Sequence, residues 1–125
     1  MTRIAAAVCT YDRYDVLPRA IEGLLAQTPP SGDFRILVVD NSPDHAKAAA
    51  FAAPYAGEKR VEYLIEAVPG LSNARNVATR ACGTELLAFI DDHAIAAPDW
   101  LVRIVEAFVQ SAPDAAVVGG KVVSR

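Results

Sequence analysis

Polar side chains follow apolar segments at four places in this 125-residue sequence, and their types suit the binding of a phosphorylated ligand. Carboxylates can accept hydrogen bonds from a nucleobase or a ribose, and adjacent carboxylates can bind a divalent cation that neutralises a diphosphate. The four groups are Thr10-Tyr11-Asp12-Arg13, Asp40-Asn41-Ser42, Asn73 with Arg75 and Asn76, and Asp91-Asp92-His93.

The aspartates are more informative together than singly. Asp40 or Asp91 alone is equally well explained as a residue that ends a strand and caps a turn. With Asp92 they place three like charges at one edge, which favours a site where a cation or a donor-rich ligand compensates them. His93 follows directly and offers a nitrogen ligand to a metal such as Mn²⁺ or Zn²⁺.

Arg75 falls near the start of a predicted helix, where a guanidinium and the helix N-terminus can both hold phosphate. The alternative is that Arg75, Asn73 and Asn76 form an ordinary solvated first turn. The sequence leaves both interpretations open.

The elements that must position these residues are predicted by the apolar periodicity. Alternating strands and helices indicate an α/β, Rossmann-like fold with a mostly parallel sheet and helices on both faces. Ligands of such sheets bind beyond the carboxyl ends of the strands. Strands are predicted at 4–9, 34–39, 61–65, 86–90 and 115–118, and helices at 16–27, 43–53, 72–81 and from Pro98 onwards, with Ser42 and Ser72 as helix caps.

Composition sets limits on partners and location. Apolar residues make up 53% of the chain and charged residues 22%, which is typical of one packed domain. The net charge of -3 without a basic stripe predicts no nucleic-acid partner, and no apolar stretch approaches the ~20 residues of a transmembrane segment. Cys9 and Cys82 have no partner at metal-ligand spacing, so we expect buried thiols and a cytoplasmic location.

Four segments together resemble the successive motifs of family-2 glycosyltransferases with the A-type fold, and the resemblance spans nearly the whole chain. They are VCTYDRYDVLPRAIEGLLAQ, ILVVDNSPD, PGLSNARNVATRACGTELLAFIDDH and PDWL. The resemblance implies a metal-assisted transfer of a sugar from a nucleoside diphosphate sugar, commonly UDP-linked, to an acceptor that the sequence does not identify. This chain would bind the donor and a divalent metal, Mn²⁺ or Mg²⁺.

The resemblance also implies roles for single residues. Asp40 would read the base, and the third position of the metal motif, usually an aspartate, is here His93. In full, Thr10, Tyr11 and Asp12 would flank the nucleoside, Arg75 and Asn76 would approach ribose or phosphate, and Asp91, Asp92 and His93 would form the metal site.

Residues 1–125 are expected to be the nucleotide-sugar-binding portion of a larger domain. Members of the family continue into a region that binds the acceptor and supplies the general base. Glu106 and Asp114 lie in or after the fourth helix, away from the strand edge, so neither is suited to that role. We therefore expect no transfer by this chain alone, and a homodimer through the open C-terminal strand edge.

Other classes of protein are less consistent with the motifs. A non-catalytic nucleotide-binding or regulatory module of the same fold remains an alternative, because the base is missing and the metal motif is altered. A dinucleotide-binding domain would carry G-x-G-x-x-G after the first strand, where this chain has CTYDRYD without glycine. A receiver domain would place its acidic cluster at that same position.

Overall fold

The structure, a computed structural model, describes residues 3–30 and 34–111. The predicted strand at 115–118, Asp114 and the expected homodimer contact lie outside these residues. The chain forms β1 (Ile4–Thr10), α1 (Leu17–Leu25), β2 (Phe34–Asp40), α2 (His45–Ala52), a 3₁₀ helix (Ala53–Tyr55), β3 (Val61–Ile65), α3 (Leu71–Ala81), β4 (Leu86–Asp91) and α4 (Trp100–Ser111).

The four strands of the described chain form one parallel sheet in the order β3-β2-β1-β4. Thr10 pairs with Asp40 across β1 and β2, and Cys9 pairs with Asp91 across β1 and β4, so the three strands end at the same edge. The connections run outward from β1 to β3 and then return to its other side. This reversal creates a topological switch point between β1 and β4, the usual ligand crevice of such sheets.

Apolar layers cover both faces of the sheet, which confirms the predicted fold class. One face of β1 and β2, including Val8 and Val38, packs in a core with Leu17 of α1 and Leu101 of α4. The opposite face packs against α3, where small residues such as Ala78 approach the sheet. Burial on both faces explains the continuous apolar runs in the sequence.

Two predicted helix caps are wrong. Asp44, not Ser42, caps α2, because its extended backbone lets its carboxylate accept a hydrogen bond from the Lys47 N–H at 3.0 Å. Ser72 lies inside α3, which follows Gly70 and has no side-chain cap. Gly70 has a φ of 117°, a conformation open to glycine and strained for other residues, so the turn itself sets the start of α3.

Gln27 joins the end of α1 to the start of α4. Its side-chain Nε2 donates to the Ala97 carbonyl at 2.6 Å, and its Oε1 accepts from the Leu101 N–H at 3.0 Å. The neighbouring Thr28 N–H donates to the Pro98 carbonyl at 2.8 Å. These bonds fix the segment that runs from the end of β4 into α4.

Candidate functional site

A cleft of about 280 Å³, lined by both polar and apolar residues, opens at the carboxyl edge of the sheet, on the side covered by α3. It lies at the end of β1 and reaches the residue that follows β4, as the topology predicts for a ligand site. Its lining residues are Cys9, Thr10, Tyr11, Arg13, Asn41, Gly70, Leu71, Ala74 and Asp92.

Thr10 and Asp92 join the two strands that flank the switch point. The Thr10 hydroxyl donates to Asp92 Oδ2 at 2.9 Å, and His93 Nδ1 lies 3.4 Å from the other carboxylate oxygen, Oδ1. Asp92 is half-buried, whereas Asp91 and His93 are exposed. The structure therefore brings Asp92 and His93 together beside Thr10.

The three predicted metal ligands are not assembled as one cluster. Within residues 3–30 and 34–111, no group of three or more His, Cys, Asp or Glu side chains is placed to hold a metal ion. Asp92 and His93 nevertheless present an oxygen and a nitrogen ligand side by side. A borderline cation such as Mn²⁺ can accept both ligand types and take its remaining ligands from substrate phosphates and water.

Asp40 is fully buried, with a residue exposure of 0%. Its Oδ2 accepts hydrogen bonds from the hydroxyls of Tyr14 at 2.8 Å and Tyr63 at 2.6 Å, and its Oδ1 accepts from the Ser42 N–H at 2.9 Å. Burial raises the pKa of Tyr14 to about 12 and also raises that of Tyr63, and the Asp40 carboxylate adds to both shifts. Asp40 thus makes internal bonds here, and its contact with a base stays a prediction.

Asn41, which the sequence placed in the polar group after β2 without a role of its own, lines the cleft in the position next to Asp40. Its side-chain Nδ2 donates to the backbone carbonyls of Glu66 at 3.1 Å and Val68 at 2.8 Å. Both amide hydrogens are then used, so the remaining polar atom of the side chain, Oδ1, is an acceptor. Its place in the segment ILVVDNSPD, one residue after the strand ends, was the available signal.

The loop after β1 forms the outer wall of the cleft. Tyr11 lies on it with 55% of its surface exposed, and Arg13, which sequence reasoning assigned no role, also lines it. Asp12 has a φ of 49° and donates its N–H to Ser42 Oγ at 2.7 Å. Its carboxylate lies 3.8 Å from Lys47 Nζ. Asp12 therefore helps to set the conformation of the loop but is not among the residues that line the cleft.

Arg75 and Asn76 lie exposed on α3, outside the residues that line the cleft. The Arg75 guanidinium lies 5.7 Å from the centre of the Phe89 ring. Burial raises the pKa of the Cys9 thiol, while the positive charge of Arg75 opposes that shift and Asp92 adds to it. Arg75 therefore lies outside the lining but near enough for its charge to influence the Cys9 thiol, which lines the cleft.

The fold and the cleft define a Rossmann-like α/β domain with a cleft at its topological switch point. The chain belongs to glycosyl transferase family 2, whose family model matches residues 6–125. The resemblance noted in the sequence motifs is confirmed. In the described part of the chain, no helix is long and apolar enough to cross a membrane.

Two relatives show the range of the family. The chain is 29% identical over 123 residues to a glucosyl-dolichyl phosphate glucuronosyltransferase of Haloferax volcanii, covering 97% of this chain and 38% of that protein. It is 27% identical over 118 residues to a validoxylamine A glucosyltransferase of Streptomyces hygroscopicus, covering 93% of this chain and 28% of that protein. The chain therefore spans about a third of the length of these relatives.

Two solved structures share the fold. TarS of S. aureus, in complex with UDP, has a TM-score of 0.71 at 21% identity, over 87% of this chain and 32% of that one. The mannosyltransferase PcManGT from Pyrobaculum calidifontis, in complex with GDP-Man and Mn²⁺, has a TM-score of 0.71 at 24% identity, over 84% of this chain and 32% of that one.

Proposed function

We propose that this chain binds the nucleotide of a UDP-linked sugar donor for a glycosyltransferase that passes the sugar to an acceptor. The observation that carries the proposal is the cleft at the switch point, with Thr10, Asn41 and Asp92 on its lining. The relatives are named as sugar transferases, and the two structural neighbours hold UDP and GDP-Man, which supports the same class of ligand.

The nucleoside would lie between the β1 loop and the start of α3. Tyr11 and Leu71, exposed by 55% and 56%, would cover the two faces of the base and ribose. Asn41 Oδ1 would accept a hydrogen bond from the base, and uracil offers such a donor at its ring N–H. Thr10 and Asp12 would hold the loop. We assign the base contact to Asn41 in place of Asp40, which would support the base pocket from the opposite face of the sheet.

The diphosphate would lie toward Asp92, where Arg13 on the lining supplies positive charge, and Arg75 and Asn76 would approach it from outside the lining. The carboxylate of Asp91, next to Asp92, would add negative charge that attracts the cation. Asp92 and His93 would hold Mn²⁺ or Mg²⁺, which neutralises the leaving diphosphate when it is bound. Arg75 would stabilise the same developing negative charge through the positive electrostatic field that it adds to the cleft.

The acceptor hydroxyl must lose a proton to a general base during direct displacement. Among the described residues that line the cleft, Asp92 alone is acidic, and we have assigned it to the cation and to the hydrogen bond from Thr10. We therefore propose that the base and the acceptor site belong to regions of the family that this chain does not match, and that this chain alone does not transfer sugar.

Calorimetry with UDP, CDP, GDP and uridine, each with and without Mn²⁺, tests the donor assignment. We expect UDP to bind most tightly and Asn41→Ala to weaken it. Asn73→Ala is the matched control, because Asn73 also donates to the Val68 carbonyl, at 3.0 Å, but does not line the cleft. If the parent protein binds none of the nucleotides, the proposal is wrong. Tight UDP binding without transfer by the full-length protein would instead favour the non-catalytic module.

A further inference from the structure

The carboxylate of Asp40 and the hydroxyls of Tyr14 and Tyr63 form a buried cluster, which we call the Asp40 cluster. We propose that this cluster is a positioning device: it fixes Asn41 in the cleft, and so sets nucleotide affinity without touching the nucleotide. The inference rests on the proposed function, because it assigns the cleft to a nucleotide.

Three separate parts of the chain meet at the Asp40 carboxylate. Tyr14 comes from the loop after β1, Asp40 ends β2, and Tyr63 lies in β3. Both hydroxyls donate to the same oxygen, Oδ2, while Oδ1 accepts from the Ser42 N–H. A buried carboxylate is stable only when its hydrogen-bonding capacity is satisfied, so these donors hold its orientation firmly.

Asn41 is held on both sides by bonds that begin at Asp40. On one side, Asp40 Oδ1 fixes the Ser42 N–H, and Ser42 Oγ in turn accepts from the Asp12 N–H. On the other side, the Asp40 carbonyl accepts from the Glu66 N–H at 2.9 Å, and the Glu66 carbonyl accepts from Asn41 Nδ2. A shift of Asp40 therefore moves both the backbone and the side-chain anchor of Asn41.

The side-chain alternation of β2 explains why the Asp40 side chain lies on the face of the sheet opposite the cleft. Successive strand residues face opposite sides of a sheet, and Asp40 follows Ile36 and Val38 on the face covered by α1. The cleft opens on the other face, toward α3. The cluster and the cleft are thus on opposite sides of the same strand end, with Asn41 between them.

Replacement of one hydroxyl at a time tests the inference with little change in packing. Tyr63→Phe and Tyr14→Phe each remove one donor to Asp40 and keep the aromatic ring. Tyr55→Phe is the matched control, because Tyr55 packs on Phe51 in the same aromatic group but is not among the donors to Asp40. Melting temperature, UDP affinity and the Asn41 side-chain amide resonances are measured for each variant.

We expect Tyr63→Phe and Tyr14→Phe to weaken UDP binding by about 3- to 10-fold, the effect of one lost hydrogen bond, and to shift the Asn41 amide resonances. Tyr55→Phe should leave both unchanged. Lower melting temperatures with unchanged UDP affinity and unchanged Asn41 resonances would overturn the inference, because the cluster would then only stabilise the fold. If the parent protein binds no UDP, the proposed function fails, and the Asn41 resonances still decide whether the cluster positions this residue.

Discussion

Replacement of Gln27 by leucine tests how the segment after β4 is held in place. Gln27 is 3% exposed, and its amide bonds both the Ala97 carbonyl and the Leu101 N–H. Leu101 is the second residue of α4, so its N–H is one of the helix donors that have no partner within the helix. Leucine fills a similar volume and can make neither bond.

The expected loss of stability depends on whether each hydrogen-bonding partner of Gln27 is buried or exposed. Leu101 is completely buried, and a stranded N–H in such a place costs about 1–3 kcal/mol. Ala97 is exposed, so water can replace its partner and the net loss there is roughly 0.5–1.5 kcal/mol. We expect the free energy of unfolding to fall by about 1.5–4.5 kcal/mol, and the melting temperature by on the order of 10 °C.

Urea titration followed by circular dichroism measures the free energy of unfolding directly. Gln110→Leu is the matched control, since it makes the same replacement at an exposed position of α4, the helix whose start Gln27 contacts. We expect the control to change stability by less than about 0.5 kcal/mol. Equal stability of Gln27→Leu and the parent protein would refute the reasoning that this amide holds the start of α4.

Three further outcomes are expected. His93→Ala should abolish the strengthening of UDP binding by Mn²⁺ and leave uridine binding unchanged in calorimetry; an undiminished Mn²⁺ effect would assign the cation to the two preceding aspartates. Burial raises the pKa of Tyr14 to about 12 and also raises that of Tyr63, from ordinary values of 10.0, so the folded state holds these protons more tightly than the unfolded state. Stability should be full below pH ~10 and fall toward pH ~12, and denaturant titrations of Tyr63→Phe across this range should show a shallower fall than the parent. Gly70→Ala should lower the free energy of unfolding by about 1–3 kcal/mol and weaken UDP binding, because its φ of 117° is strained for alanine. Gly57→Ala is the control and should lower stability less, because this glycine is exposed and nothing lies within 4 Å of the added carbon. Equal melting temperatures of the two variants would contradict this account.

Strand positions were predicted closely. The central strands β1 and β2 are buried on both faces and read as continuous apolar runs, and the partly exposed edge strand β3 was still predicted as a short strand. The predicted strand at 4–9 is found as Ile4–Thr10, and the one at 61–65 as Val61–Ile65. Helix starts were predicted less well. The cap of α2 depends on backbone dihedral angles at Asp44, and Ser42 instead accepts a hydrogen bond from the distant residue Asp12.

The sequence by itself determined the class of fold, the family and the edge of the sheet where polar residues collect, because these follow from local periodicity and from the order of motifs. Only the tertiary structure decided which of those residues face the cleft. Asp40 and Asn41 are neighbours of similar chemistry, yet Asp40 bonds two tyrosines in the interior while Asn41 lines the cleft. The physical reason is that neighbouring side chains at a strand end face different sides of the sheet, and their surroundings come from elements distant in the sequence.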